Sequence, residues 1–265
     1  GVDGYWTVDT SGIEYQCKAV VICTGAYPSA KIPPVSKMLP SHVVQMHSSD
    51  YRNPAQVDSN DVLVVGSGSS GVQICEDLAR SNRFGQIFLS TSGNRVFPKR
   101  VFGIPTYKLV RYSGILNVKR GSILGRFLLA IFPNQQGDLA TGPIPRELNR
   151  SFGVDLVSKV DNIAKNVILC RDGSVVPMED LTIIWATGYG ANYDHIKLNG
   201  DNALIDDTGE VMHHHGVADA TPNLCFVGLR FQSRIGSRFI YGTGHDASYV
   251  ARYLGLLLRN YRRLA

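Results

Sequence analysis

The sequence predicts an α/β fold with buried parallel strands. Three observations predict it. Asp61 to Arg80 (DVLVVGSGSSGVQICEDLAR) runs an apolar stretch, Val62 to Val65, straight into a glycine-rich turn and then a helical pattern. Two more apolar runs, Lys18 to Ile22 and Leu181 to Trp185, are each followed closely by a Thr-Gly pair, Thr24-Gly25 and Thr187-Gly188. A composition of 44% hydrophobic and 18% charged residues over 265 positions suits a globular chain of one large or two ordinary domains.

The glycine turn is Gly66-Ser67-Gly68-Ser69-Ser70-Gly71, a match to G-x-G-x-x-G. Val72 to Arg80 follows as a helix, with Val72, Ile74, Cys75, Leu78 and Ala79 as candidate buried positions. Strand, turn and helix in this order are the context of a dinucleotide fingerprint. Gly66 permits the tight turn, Gly68 lets backbone N–H groups approach a pyrophosphate, and Gly71 lets the helix pack close to the strand. The helix N-terminus adds partial positive charge for phosphate. A purely structural glycine loop is the alternative.

Gln86 to Leu89 reads as the next strand and ends in Ser90-Thr91-Ser92. An NAD site would carry an acid about 20 residues past the glycines to accept from the ribose 2′-OH. No acid occurs between Asp77 and Asp138, while Arg95, Lys99 and Arg100 follow the strand. Ser90, Thr91 and Arg95 suit a 2′-phosphate, so the expected cofactor is NADPH rather than NADH. A solvated basic turn is the alternative reading of the same residues.

The net charge of +5 is uneven. Residues 78–137 hold ten Lys and Arg and no acid; the remaining 17 basic residues face 22 acidic ones. A basic field beside a nucleotide turn favours an anionic cofactor, and no nucleic-acid motif accompanies it. Cys17, Cys23, Cys75, Cys170 and Cys225 lack metal-like spacing and read as buried thiols of a reducing, cytoplasmic setting. No 18-residue apolar run is present.

Tyr5 to Val8 and Glu14 to Cys17 flank a hairpin signal at Asp9-Thr10-Ser11-Gly12. Val43 to Met46 reads as a short strand, and Pro54 with Asp58 to Asn60 as a linker. Ile123 to Phe132 carries a helical apolar stripe and reads as a core helix of an insertion; a membrane-surface helix is the alternative. Val154 to Val160, Val167 to Cys170 and Ser174 to Val176 read as strands around an Asp172-Gly173 turn. His213-His214-His215 reads as a solvated loop, not a metal site. Asn223 to Val227 is a last strand, ending at Gly228. Tyr241-Gly242-Thr243-Gly244-His245 then opens a helix expected from Asp246 to Tyr261.

Taken in order, the strand before Thr24-Gly25, HSSDYRNP at His47 to Pro54, Gly66 to Gly71, Ala186-Thr187-Gly188-Tyr189, the strand into Gly228, and YGTGHDA resemble the flavin-containing monooxygenases, including the plant YUCCA-type enzymes. The resemblance spans nearly the whole chain. It implies two Rossmann-like dinucleotide-binding domains, with an NADPH domain inserted into a split FAD domain. Residues 1–40 and 186–265 would belong to the FAD domain. Residues 41–185 would form the NADPH domain, with a helical insertion near 101–150. Thr24, Gly25, Thr187, Gly188, Gly228 and Gly244 would lie near FAD or at the crossings. The segment Gly242 to Ala247 would offer helix-start N–H groups to the flavin.

The family also carries an earlier glycine fingerprint for FAD, and none precedes residue 66. The chain, beginning at Gly1, therefore looks like a piece lacking the first FAD-binding βαβ unit, and the strands at Val20 and Ile183 are expected to lose a neighbour. Of the family signature F-x-G-x-x-x-H-x-x-x-Y/F only His47 and Tyr51 match, with Ser41 and Val43 in place of Phe and Gly. Leu229, not Asp, follows Gly228. Tyr51 stands where related Baeyer–Villiger enzymes have Trp, which argues against ketone oxygenation. The activity implied is oxygen transfer from a C4a-hydroperoxyflavin to the nitrogen or sulfur of a small molecule, with O₂ as co-substrate and no metal. No residue is singled out as catalytic. Alternatives are another NADPH-linked flavin oxidoreductase, or a copy that only binds NADPH. A flavin disulfide reductase would need a C-x-x-C pair, which is absent.

Overall fold

The computed structural model describes residues 5–25, 29–92, 97, 98, 100–131, 141–190, 192–198 and 203–264. The chain divides into two compact units. One comprises Gly1–Ser29, Val110–Pro133 and Gly190–Ala265; the other comprises Ala30–Leu109 and Asn134–Tyr189.

The second unit holds a five-stranded parallel sheet in the spatial order Asp155–Val157, Gln86–Ser90, Asp61–Val65, Leu181–Trp185, Val44–His47. Successive side chains alternate between its faces. Val62 and Val64 pack with Val72, Cys75 and Leu78 of the helix Ser69–Arg80, and with Leu148 of the helix Pro145–Phe152. Leu63, Val65, Ile183 and Trp185 pack on the other face with Ile168, Val176 and Met178. Those last residues come with an antiparallel sheet, Val160–Ala164, Val167–Cys170 and Val175–Pro177. The chain after Asp61–Val65 turns to one neighbour, Gln86–Ser90, while the other neighbour, Leu181–Trp185, comes far later. The glycine turn therefore opens at the point where strand order reverses, where open α/β sheets bind ligands.

Leu181–Trp185 is buried at all five positions and paired on both sides. The expected loss of a neighbour at Ile183 is thus corrected: Val44–His47 fills that edge. The single strand read over Val154 to Val160 is two, in different sheets, broken where Ser158 N–H donates to Asp172 Oδ2 at 3.2 Å.

The first unit carries a four-stranded sheet, His213–His214, Val217–Ala218, Leu224–Phe226, Val20–Ile22. Val20–Ile22 pairs in parallel with Leu224–Phe226 and forms an edge, where Val21 is 39% exposed. Trp6–Thr10 and Ile13–Cys17 make the expected hairpin, turning through Ser11 and Gly12 at φ 50° and 88°. The three histidines are not a solvated loop. His213 and His214 lie in a strand, and His215 with Gly216, at φ 52° and 93°, makes its turn.

The segment 110–133 groups with this first unit: Lys119 bridges Arg234, and Arg120 N–H donates to Ser233 O at 2.9 Å. Its helix, Ile123–Ile131, is not a core helix, because Ile123, Leu124 and Phe127 are exposed. The C-terminal helix spans Ile240–Leu264, so Gly242 and Gly244 lie inside it rather than before it. At Gly242 tertiary packing overrides the low helix propensity: a Cβ there would stand 2.0 Å from Gly236 O. Among the cysteines, Cys75, Cys170 and Cys225 are buried, but Cys23 is exposed because its strand stops at Ile22.

Candidate functional site

In the second unit, Gly66 N–H donates to Ser90 O at 3.0 Å, and Ala186 N–H donates to Val65 O at 2.9 Å. The turn is therefore clamped between the two flanking strands. Gly66 has φ 113°, and a Cβ there would lie 2.4 Å from Ala186 O. A Cβ on Gly71 would lie 1.8 Å from Gly66 O, so only glycine lets the helix sit this close. Gly68 differs: its φ is −73° and a Cβ would meet nothing within 4 Å. The backbone there borders open space, at the N-terminus of a helix with no side-chain cap and no acid in its first turn. Ser67 is buried and its Oγ has no partner. Open backbone, positive helix end and an unpartnered hydroxyl fit a pyrophosphate.

Ser90 is corrected as a ligand-facing hydroxyl. It is buried, and its Oγ donates to Ser158 O at 2.9 Å. Its contribution is the carbonyl that holds Gly66. Thr91 is half-exposed at the strand end, its N–H donating to Val157 O at 2.8 Å. Arg95 lies outside the described residues.

The Thr187-Gly188 turn leaves the same edge of this sheet. Thr187 Oγ1 donates to Lys31 O, and Lys31 N–H donates to Gly188 O at 3.0 Å. His47, 2% exposed, supports the same carbonyl. Ser49 N–H donates to His47 Nδ1 at 3.1 Å, which leaves the ring proton on Nε2, and Nε2–H donates to Gly188 O at 3.1 Å. Tyr189 stands edge-on to the ring at 5.0 Å. Tyr51 Oη donates to Asp77 Oδ2 at 2.8 Å, tying the preceding loop to the glycine-turn helix. Burial, then Asp77, pushes the Tyr51 phenol far up. His47 and Tyr51 were visible as signature residues; that both serve as struts was not.

In the first unit, Thr24-Gly25 and Gly228 follow two paired parallel strands and arrive side by side. A Cβ on Gly228 would lie 3.7 Å from Gly25 Cα and 3.8 Å from Thr243 Cγ2. Gly25 and Gly228 both have positive φ, 76° and 92°. Gly244 is exposed and borders open space. These glycine turns at a carboxyl edge leave backbone bare for a planar or phosphate-bearing group, and so fit part of a flavin nucleotide. The helix-start N–H groups expected to face it are partly taken: Gly242 and Thr243 N–H both donate to Phe239 O.

One residue escaped the sequence reading. Gln232 is 2% exposed and its side chain makes four hydrogen bonds. Its Oε1 accepts from Gly228 N–H at 3.1 Å and Leu229 N–H at 3.2 Å; its Nε2 donates to Phe226 O at 2.8 Å and His215 O at 3.3 Å. It fixes the turn that carries Gly228, while Leu229 packs into the core. No periodicity or motif marks such a glutamine.

Comparison with known proteins agrees with this geometry. The chain is 31% identical over 254 residues to the oxidoreductase CzcO of Bacillus subtilis (strain 168), covering 96% of this chain and 70% of that protein. It belongs to the CzcO-type oxidoreductases of the flavin monooxygenase family. The family model for L-lysine 6-monooxygenase/L-ornithine 5-monooxygenase matches residues 5–101. Indole-3-pyruvate monooxygenase YUCCA1 of Oryza sativa subsp. japonica is 25% identical over 275 residues, 94% of this chain and 64% of its own length. A flavin-containing monooxygenase from Stenotrophomonas maltophilia shares the fold, with a TM-score of 0.64 at 19% identity over 94% of this chain and 67% of that one.

Proposed function

We propose that this chain belongs to an FAD- and NADPH-dependent monooxygenase that oxygenates a nucleophilic nitrogen or sulfur in a small molecule. The observation that carries the reading is the open backbone at Gly68, clamped at the reversal point of a parallel sheet. In this reading the unit containing residues 41–109 and 134–185 holds NADPH. Gly66 to Gly71 cradle its pyrophosphate, and Thr91 and Arg95 select its 2′-phosphate. Gly25, Gly228 and Gly244 belong to the FAD side, with Thr187-Gly188 at the crossing between domains.

The bound cofactors supply hydride transfer and dioxygen activation. The chain's residues hold and shield them. Gly66 and Gly71 set the loop, His47 fixes the Gly188 carbonyl, and Gln232 fixes the Gly228 turn. Overall, NADPH, a proton, O₂ and substrate give NADP⁺, water and the oxygenated product. A reducing, cytoplasmic setting is part of this reading and rests on the buried free thiols.

The test is NADPH oxidation by the FAD-loaded protein under ¹⁸O₂, with a panel of amines and thioethers. Label in a product supports the proposal. NADPH consumption that yields only hydrogen peroxide with every compound overturns it in favour of an NADPH-linked flavin oxidoreductase.

A further inference from the structure

In the first unit the segment around Leu116 reaches the start of the C-terminal helix through backbone contacts. Residues 118–120 run antiparallel to 233–235: Ile235 N–H donates to Val118 O at 3.1 Å, Arg120 N–H donates to Ser233 O at 2.9 Å, and Lys119 bridges Arg234. Just before them, buried Leu116 lies on Gly236, where a Cβ would stand 2.8 Å from Leu116 O and 3.2 Å from Leu116 Cβ. Gly236 is itself buried and carries the helix start, since a Cβ on Gly242 would stand 2.0 Å from Gly236 O. The loop between them is closed by Ser237, whose buried Oγ accepts from Ser233 N–H at 3.1 Å and Arg234 N–H at 3.0 Å. Thr243, one residue past Gly242, stands beside the Gly228 turn. Backbone cannot absorb a shift by changing rotamer, so a displacement at Leu116 passes through Gly236 to the helix start.

We propose that Leu116 and Gly236 are positioning residues for the flavin. The segment 114–120 holds the start of the helix Ile240–Leu264 against the Gly228 turn, and so fixes where Thr243 and Gly244 meet the cofactor. This rests on the reading above that Gly228 and Gly244 lie on the FAD side. Neither Leu116 nor Gly236 touches the cofactor; both act through Gly242.

Leu116→Ala and Gly236→Ala test it, the first loosening the contact and the second overfilling it. Leu116→Met, close in volume, is the conservative control, and Ile123→Ala alters an exposed site on the same segment. In the flavin-free chain, amide exchange at Gly242 and Thr243 should speed up at least about tenfold in Leu116→Ala, while the amides of Val62 to Val65 keep the parent rates. In the flavin-loaded protein, FAD affinity should fall about fivefold or more in both variants, because binding must restore the parent spacing. The visible flavin band and the reduction potential should shift with it. Leu116→Met and Ile123→Ala should match the parent, and NADPH affinity should hold in all four variants. Lower stability or faster exchange with unchanged flavin affinity, band and potential makes the contacts structural only; it overturns the inference and leaves the FAD reading intact. A parent that binds no FAD overturns that reading and the inference with it. If Gly236→Ala does not fold, Leu116→Ala alone decides.

Discussion

Gly68 and Gly71 sit three residues apart in one turn, and replacing each by Ala should break different things. At Gly71 the new methyl would start 1.8 Å from Gly66 O. Van der Waals contact needs about 3.4 Å, so strand end and helix must part by roughly 1.5 Å. Gly66 cannot yield easily, since Ser90 O and Ala186 hold it. Overpacking a fixed site costs about 1–3 kcal/mol and occasionally more. The gain from Ala in a helix is about 1 kcal/mol at best, and with Gly66 held on both sides the overpacking cost sits at the upper end, so Gly71→Ala should lose about 1–2 kcal/mol in urea denaturation. At Gly68 the methyl meets nothing and φ of −73° suits any residue. Gly68→Ala should fold to within about 1 kcal/mol of the parent. It should nonetheless push phosphate away from the helix N-terminus. Losing one charge-assisted bond at about 1.5–3 kcal/mol weakens NADPH binding roughly 10- to 150-fold in calorimetric titration. Undiminished NADPH affinity in Gly68→Ala, or full stability in Gly71→Ala, would refute this account of the turn.

Three further outcomes are expected. Arg95→Ala should erase most of the preference for NADPH over NADH, at about 1.5–3 kcal/mol in the affinity ratio; equal affinities in the parent would remove the basis for that assignment. Gln232→Leu should leave Gly228 and Leu229 N–H and the Phe226 and His215 carbonyls without their partner. At about 1–3 kcal/mol per stranded group, a loss of about 3 kcal/mol or more is expected in urea denaturation, and a smaller loss would mean that water replaces the amide. Burial first, then Arg120, pushes the His213 imidazole from 6.5 down to about 4. The unfolded chain therefore binds a proton near pH 6.5 that the folded chain refuses until about pH 4. Stability should fall through that window on acidification, and Tm measured against pH should flatten there in His213→Gln.

The strand, turn and helix around Gly66 were legible because all three signals are local and adjacent. The buried run Leu181 to Trp185 was legible as a strand, but its neighbours were not, since nothing local announces that Val44–His47 will pair with it. The direction of a stripe was also hidden: spacing shows that Ile123, Leu124 and Phe127 share a face, not that the face looks outward. Ser90 misled because a polar residue at a strand end resembles a ligand contact, whereas its hydroxyl closes an internal bond to Ser158 O. Gly242 resembled a helix breaker until Gly236 supplied a surface that only glycine can approach. Gln232 gave no signal, because its side-chain partners are backbone groups of Phe226 to Leu229 and of His215, and nothing local announces that these meet.

The sheet order of the second unit also dictates when that unit can fold during synthesis. Leu181–Trp185 slots between Asp61–Val65 and Val44–His47, and Trp185 bonds Gln45 across 140 positions. A nascent chain can pair Asp61–Val65 with Gln86–Ser90 soon after both emerge. Val44–His47 has no partner until the inserting strand is made. At about 5–20 residues per second, that wait is roughly 7–30 s. Through it, one edge of Asp61–Val65 stays open to mispairing, and the early strand stays open to proteases and chaperones.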